Sequence, residues 1–192
     1  MQKAALFAAI VLVAAPASAA DKNGNFFARG LGSQPCQHYV AEKAKGSATY
    51  FLYRSWLNGY MSAFNQYADD TYDVAPNATM AGLANAVESI CKQNPKQQFW
   101  TAAFGLSQAL WKGRLALKSE VVTATAGKNS VRLYRATLQQ VQDALNKRGY
   151  KLGKPDGIFG AKTQQALSDY QKKQKLRVTG LPDPATRTKL LK

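Results

Sequence analysis

Residues 156 to 167 read Asp156-Gly-Ile-Phe-Gly-Ala-Lys-Thr-Gln-Gln-Ala-Leu167, and 23 positions later the chain repeats their plan in Gly180-Leu-Pro-Asp-Pro-Ala-Thr-Arg-Thr-Lys-Leu190. In each copy a Gly is followed six residues on by Thr and ten on by Leu: Gly157, Thr163, Leu167 and Gly180, Thr186, Leu190. A turn-then-helix unit repeated within about 65 residues marks a small self-contained module at the C-terminus.

The chemistry of each copy follows from its residues. In the first, Gly157 and Gly160 permit positive-φ turns, and Thr163, Ala166, Leu167 and Tyr170 then fall at i, i+3, i+4 and i+7, one buried helical face. In the second, Asp183 can accept a hydrogen bond from the first turn, and Pro184 stands at the first helical position, where its missing N–H costs nothing. Upstream, Leu138, Val141 and Leu145 give a third amphipathic helix, with Gly149 as its C-terminal stop. Three short helices around one modest core are expected.

These residues carry a family resemblance. Val141-Gln-Asp-Ala-Leu145, Gly149-Tyr150, Asp156-Gly-Ile-Phe-Gly160, Thr163, Tyr170-Gln171, Leu176, Val178-Thr-Gly180 and Thr186 resemble the three-helix peptidoglycan-binding domain that accompanies many cell-wall hydrolases. The resemblance runs over most of residues 131–192, with one departure: the family usually has a Gly before the Leu at 176, where this chain has Lys175. A Lys in a left-handed turn costs on the order of 1 kcal/mol, so a different helix end is expected there. The resemblance implies a shallow ligand site formed by the Gly-rich turn and the following helix, at Asp156, Gly157, Phe159, Gly160, Thr163, Gln164 and Tyr170. Each also has a structural reading: Asp156 and Gly157 shape the loop, while Phe159, Thr163 and Tyr170 pack. Gln164, polar and beside the turn, is the most purely functional of the set.

At the other end, Lys3 precedes an apolar run from Ala4 to Ala15, and Ala17-Ser-Ala-Ala20 offers small residues suited to signal peptidase. Residues 1–20 therefore read as a cleaved secretory signal, with cleavage after Ala19 or Ala20. The alternative, an uncleaved anchor, requires a longer apolar run. Nothing later is long and apolar enough to cross a bilayer, so a periplasmic or secreted protein without a membrane span is expected.

Two cysteines remain after that cleavage, Cys36 and Cys91, and an even pair in an oxidising compartment is most simply a disulfide. A reactive thiol or a metal site is poorly supported, because the single histidine, His38, has too few companions to hold zinc. No metal and no cofactor are expected.

Residues 21–118 read as a helical, disulfide-bonded domain. Tyr53, Trp56, Leu57, Tyr60, Met61 and Phe64 form one long helix with an aromatic face. Met80, Leu83, Ala84, Val87 and Cys91 form a second face ending at Asn94-Pro95, and Phe99, Ala102, Ala103, Leu106 and Leu110 a third, with Asn94 as its cap and Pro95 in its first turn. A shorter helix starts within Ser33–Val40, and Tyr67–Ala78 reads as a connecting loop. The order Cys36, Trp56-Leu-Asn-Gly-Tyr-Met-Ser-Ala-Phe-Asn65, Ile90-Cys91, Asn94-Pro95 and the helix that follows resembles small disulfide-bonded helical periplasmic proteins related to the HdeA acid-stress chaperones and to Tai-type immunity proteins. That resemblance implies a non-enzymatic domain that binds other proteins. The aromatic stripe reads as core, with a client surface exposed in acid as the alternative.

Between the domains, Ser119–Ser130 is rich in Thr, Ala, Ser and Gly without periodicity and reads as a linker over 119–130. Residues 128–192 hold 15 Lys and Arg against 4 Asp, a net +11, whereas residues 21–127 hold 10 against 7, a net +3. Lys172, Lys173, Lys175 and Arg177 cluster in that basic part, a surface suited to anionic envelope polymers or simply a solvated face; export argues against nucleic acid as the partner.

The sequence thus predicts an all-α protein that docks on peptidoglycan and binds a protein partner: a wall hydrolase, a toxin or an acid-unfolded client. The alternative is a wall hydrolase with an unrecognised active site. Glycan cleavage needs a positioned acid, and Glu42, Asp69, Asp70, Asp73, Glu88 and Glu120 are the acids available, all explicable as solvated groups.

Overall fold

A computed structural model of the protein describes residues 21, 23 and 25–191. The expected signal segment, residues 1–20, lies outside the described residues. Seven α-helices are present among them: α1 (Cys36–Lys45), α2 (Ala48–Tyr67), α3 (Met80–Gln93), α4 (Phe99–Leu110), α5 (Arg135–Asn146), α6 (Ala161–Lys173) and α7 (Pro184–Leu190).

The all-α expectation needs correction. Two strands, β1 (Val121–Ala126) and β2 (Asn129–Tyr134), pair antiparallel where a linker was expected, with Val121 opposite Tyr134 and Ala126 opposite Asn129. The physical reason is legible afterwards. Val121-Val-Thr-Ala-Thr is rich in β-branched residues, and Gly127, at φ 59°, opens a two-residue turn at the position where a primed hairpin turn requires positive φ. Strand alternation also buries Ala124 and Leu133 against the C-terminal helices.

Apolar side chains gather in two clusters. The first unites Cys36, Tyr39, Tyr53, Leu57, Val87, Phe99 and Ala103 from α1 to α4. Tyr39, Tyr53 and Phe99 form its aromatic centre, with ring centroids 4.7 to 5.1 Å apart. The stripe on α2 is therefore largely core, buried at Tyr53, Leu57 and Met61. Cys36 and Cys91 are joined in a disulfide across a separation of 55 residues, which on the chain-entropy account stabilises the fold by about 4 kcal/mol. The second cluster unites Ala124 and Leu133 of the hairpin with Leu138, Val141, Leu145, Leu167, Tyr170 and Leu190.

The start of α4 also departs from expectation. Asn94 is the C-cap of α3, and Gln98 precedes α4 with no side-chain cap. The reason lies in the backbone: the carbonyls of Pro95 and Gln97 accept from the amides of Gln37 and Cys36, and Phe99 N donates to Gln34 O. Residues 94–98 are thus committed to holding the start of α1 and cannot coil into a helix.

Three helices end in the same left-handed motif. After α5, Tyr150 N donates to Leu145 O and Gly149 N to Asn146 O; after α1, Ser47 N and Gly46 N bond Glu42 O and Lys43 O. After α6, Leu176 N bonds Gln171 O and Lys175 N bonds Lys172 O, so Lys175 takes the position that glycine holds elsewhere, at φ 56°. The helix does not end differently; the Lys accepts the strain. Lys175→Gly is expected to raise stability by up to about 1 kcal/mol, measured by urea unfolding, because relief of the left-handed penalty exceeds the added flexibility of the unfolded chain. An unchanged or lowered stability would contradict this.

Candidate functional site

Each sequence repeat is built around a buried glutamine. In the first, Gln142 of α5 donates through Nε2 to Asp156 Oδ1 (2.8 Å), Ile158 O (3.0 Å) and Thr163 Oγ1 (3.4 Å), and its Oε1 accepts from Gly157 N (2.8 Å). In the second, Gln171 of α6 donates to Thr179 Oγ1 (2.9 Å), Leu181 O (2.9 Å) and Thr186 Oγ1 (2.9 Å), and accepts from Gly180 N (2.9 Å) and Thr179 N (2.9 Å). Asp156 and Thr179, Gly157 and Gly180, Ile158 and Leu181, and Thr163 and Thr186 occupy matching places. One carboxamide in each copy satisfies a turn that would otherwise bury unpaired backbone groups.

The copies differ at the helix start that each turn delivers. Asp183 caps α7, accepting from Thr186 N at 2.9 Å, and also accepts from Thr179 Oγ1 at 2.7 Å. The matching residue in the first copy is Gly160, which precedes α6 with no side-chain cap. It is also extended, at φ −125°, so the expectation of a positive-φ turn at Gly160 is corrected; only Gly157, at φ 70°, needs one. A Cβ on Gly157 would lie 2.5 Å from Arg135 Cγ and 2.9 Å from Arg135 O, so close approach to α5 excludes a side chain there.

The uncapped start of α6 opens onto a groove. Leu152, Lys154, Asp156, Ile158, Gly160, Lys162 and Thr163 line a depression of about 270 Å³. A second depression of about 290 Å³ adjoins it across Leu152 and Lys162 and continues past Tyr150, Gln165 and Asp169. Three lysines, Lys151, Lys154 and Lys162, stand along this groove. Asp156 is held well below the usual carboxylate range by the amide of Ile158 and then by the carboxamide of Gln142. The arrangement combines open backbone donors, a positive helix end, lysine cations and a fixed anion beside Leu152 and Ile158, which suits hydrogen bonding to carboxylate and amide groups.

Of the residues expected at the site, Asp156, Gly160 and Thr163 line the groove. Gly157 is buried beneath α5, and Phe159 is partly buried against the second cluster. Tyr170 is buried in that cluster, its ring edge-to-face with Tyr150 at 6.5 Å. Gln164 turns to the other repeat, with its Cγ 3.0 Å from where a Cβ on Gly180 would be. Sequence reasoning missed Lys154, Lys162 and Leu152, although lysines flanking the turn were a readable signal. It also quoted Gln142 and Gln171 without a role, because their partners are distant in sequence.

Residues 135–190 match a protein family described as "Putative peptidoglycan binding domain". That match covers α5 to α7 and both glutamine-centred turns, and it supports association of this part of the chain with the cell wall. No curated protein matches the chain. Among solved structures, the chain is similar to the crystal structure of SltB3 from Pseudomonas aeruginosa in complex with NAG-anhNAM-pentapeptide, with 27% identity and a TM-score of 0.30, over 55% of this chain and 27% of that one. The chain thus spans about a quarter of that protein's length.

Among the described residues, no three His, Cys, Asp or Glu side chains gather as a metal-binding group, and no helix is long and apolar enough to cross a membrane.

Two outcomes follow from the geometry. Gln171→Leu would orphan the amides of Thr179 and Gly180 and is expected to cost upwards of about 2 kcal/mol in urea unfolding, more than Gln142→Leu, which orphans the amide of Gly157 alone. Equal costs would contradict the assigned roles. For Asp156 the folded pKa lies below the unfolded one, so its contribution to stability is present above the ordinary carboxylate value of about 3.9 and is lost as pH falls through the lower folded value. A carbon-detected NMR titration is expected to place the Asp156 midpoint below about 3.9; a midpoint at or above it would contradict the hydrogen bonding described.

Proposed function

We propose that this is a non-catalytic exported protein that docks on peptidoglycan through residues 131–192 and engages a protein partner through the helical residues 21–118. The family match over residues 135–190 carries the reading, and the open start of α6 supports a site for it. A wall polymer decorated with short peptides would offer its carboxylates to Lys154 and Lys162 and to the free amides of the first turn of α6, and its amides to Asp156. The second repeat, sealed by Asp183, would brace the first rather than bind.

The N-terminal role rests on the resemblance noted in the sequence and on the state of its acids. Glu42 is held below its ordinary range by Lys45 and then Ser47, and Glu88 by Lys43 and then Lys92. A general acid for glycan cleavage needs the opposite shift. These carboxylates therefore fit structural ion pairs, and periplasmic protein recognition is the better reading of this part. The two apolar clusters support treating the two parts as domains, with the hairpin at residues 121–134 attached to the second.

The test is co-sedimentation of the purified protein with insoluble peptidoglycan at moderate salt. Gly160→Asp, which copies the cap of the second repeat, is expected to leave stability unchanged or slightly raised while weakening wall binding on the order of tenfold. Binding that is unchanged in this variant, or that salt alone abolishes, would overturn the proposed site.

A further inference from the structure

Away from the groove, the outer side of α2 carries a cation without a counterion. Arg54 makes no ion pair among the described residues, and its Nε is buried with no hydrogen-bond partner. Its guanidinium carbon lies 5.9 Å from the centroid of the Tyr50 ring and 5.8 Å from that of Phe51, which hold it in place. The acids on neighbouring helices are committed elsewhere: Glu88 to Lys43 and Lys92, and Glu42 to Lys45 and Ser47. Arg54 lines a depression of about 320 Å³ with Phe51, Ser55, Asn58 and Met80. Phe51, in that lining, is 54% exposed.

We infer that this depression is a docking site for an acidic and apolar segment of a protein partner, with a carboxylate on Arg54 and an adjacent apolar side chain on Phe51 and Met80. The inference rests on the proposal that the N-terminal part engages a protein. The chemistry is specific. A guanidinium presents a planar fork of N–H donors that matches a carboxylate, and here one prong is already desolvated and lacks an acceptor. That Nε is closed to solvent as the side chain stands, so an incoming carboxylate would engage the terminal Nη groups of the fork. One cation beside Phe51 and Met80 suits a single side-chain carboxylate, whereas a phosphate-rich polymer would call for the several cations that this depression lacks. Ser55 Oγ already donates to Phe51 O and is left only to accept, so the side-chain amide of Asn58 is the remaining neutral donor available to orient the segment's backbone.

The experiment is NMR of the full protein, following the Arg54 Nε–H signal and the amides of Phe51, Ser55 and Asn58 during titration with acetyl-Leu-Asp-Phe-amide and with its Asn analogue. A saturable shift at these positions is expected, with the Asn peptide about tenfold or more weaker, the share of a charge-assisted hydrogen bond. Arg54→Lys, which keeps the charge but loses the fork, and Phe51→Ser, at an exposed position, are each expected to weaken binding while leaving the fold and wall co-sedimentation unchanged. Equal binding of both peptides, no shift at Arg54, or shifts confined to Lys172–Arg177 would overturn the inference. A soluble wall fragment that shifts Arg54 where the peptide does not would overturn it too, by giving the depression to the wall. Wall co-sedimentation read in parallel keeps the two proposals apart, since either can fail with the other intact.

Discussion

Two buried carboxamides hold the C-terminal part together. Gln142 and Gln171 each replace, for one turn, the backbone partners that a strand or helix would supply, and each does so with a donor face and an acceptor face at once. A buried side-chain amide left half-satisfied would be worse than an apolar residue, so the turn, the Thr of the following helix and the preceding Asp or Thr are fixed together. The sequence repeat is the imprint of that requirement. It also delivers two helix starts in equivalent positions, only one of which is left open. On the function proposed above, the difference that matters between the copies is the helix start, Gly160 against Asp183.

The two parts of the chain have separate apolar clusters and meet through a side-chain-to-carbonyl tie and an aromatic contact. Arg187 of α7, 5% exposed, donates to Pro182 O at 3.0 Å and to Asn77 O at 3.2 Å, and so ties the C-terminal turn to the loop before α3. Burial pushes its guanidinium pKa down, while Asp183 acts against that shift. Tyr72 meets Tyr134 edge-to-face at 6.0 Å beside the hairpin. The hairpin itself is closed onto α5 by Glu120, which pairs with Arg135 at 2.9 Å and accepts its backbone amide. A flexible tether between the parts, as composition alone suggested, is replaced by an ordered hairpin.

Much of this was legible in the residues. Periodicity placed α2, α3, α4 and α6 because each buries one continuous face, and the cysteine pair was found because nothing else in the chain could use two thiols. The hairpin was not legible by periodicity because its strands are short and one face holds small residues such as Ala124, which carry little amphipathic signal. The cap of α4 was misplaced because the backbone of residues 94–98 is claimed by α1, a contact about 60 residues away in sequence that local capping rules cannot see. The lining of the candidate groove was half legible. Asp156, Gly160 and Thr163 line the groove as expected, while Gln164, the most functional by local reasoning, is drawn to the second turn by packing that exists only because the two repeats lie side by side.

The central claim is that the first helix start, and not its sealed copy, receives the wall. The most direct measurement is an amide NMR titration of the protein with soluble peptidoglycan fragments, comparing Ala161, Lys162 and Thr163 with Ala185, Thr186 and Arg187. The account predicts saturable shifts at the first group and none at the second. Shifts at the second group, or confined to Lys172–Arg177, would contradict it.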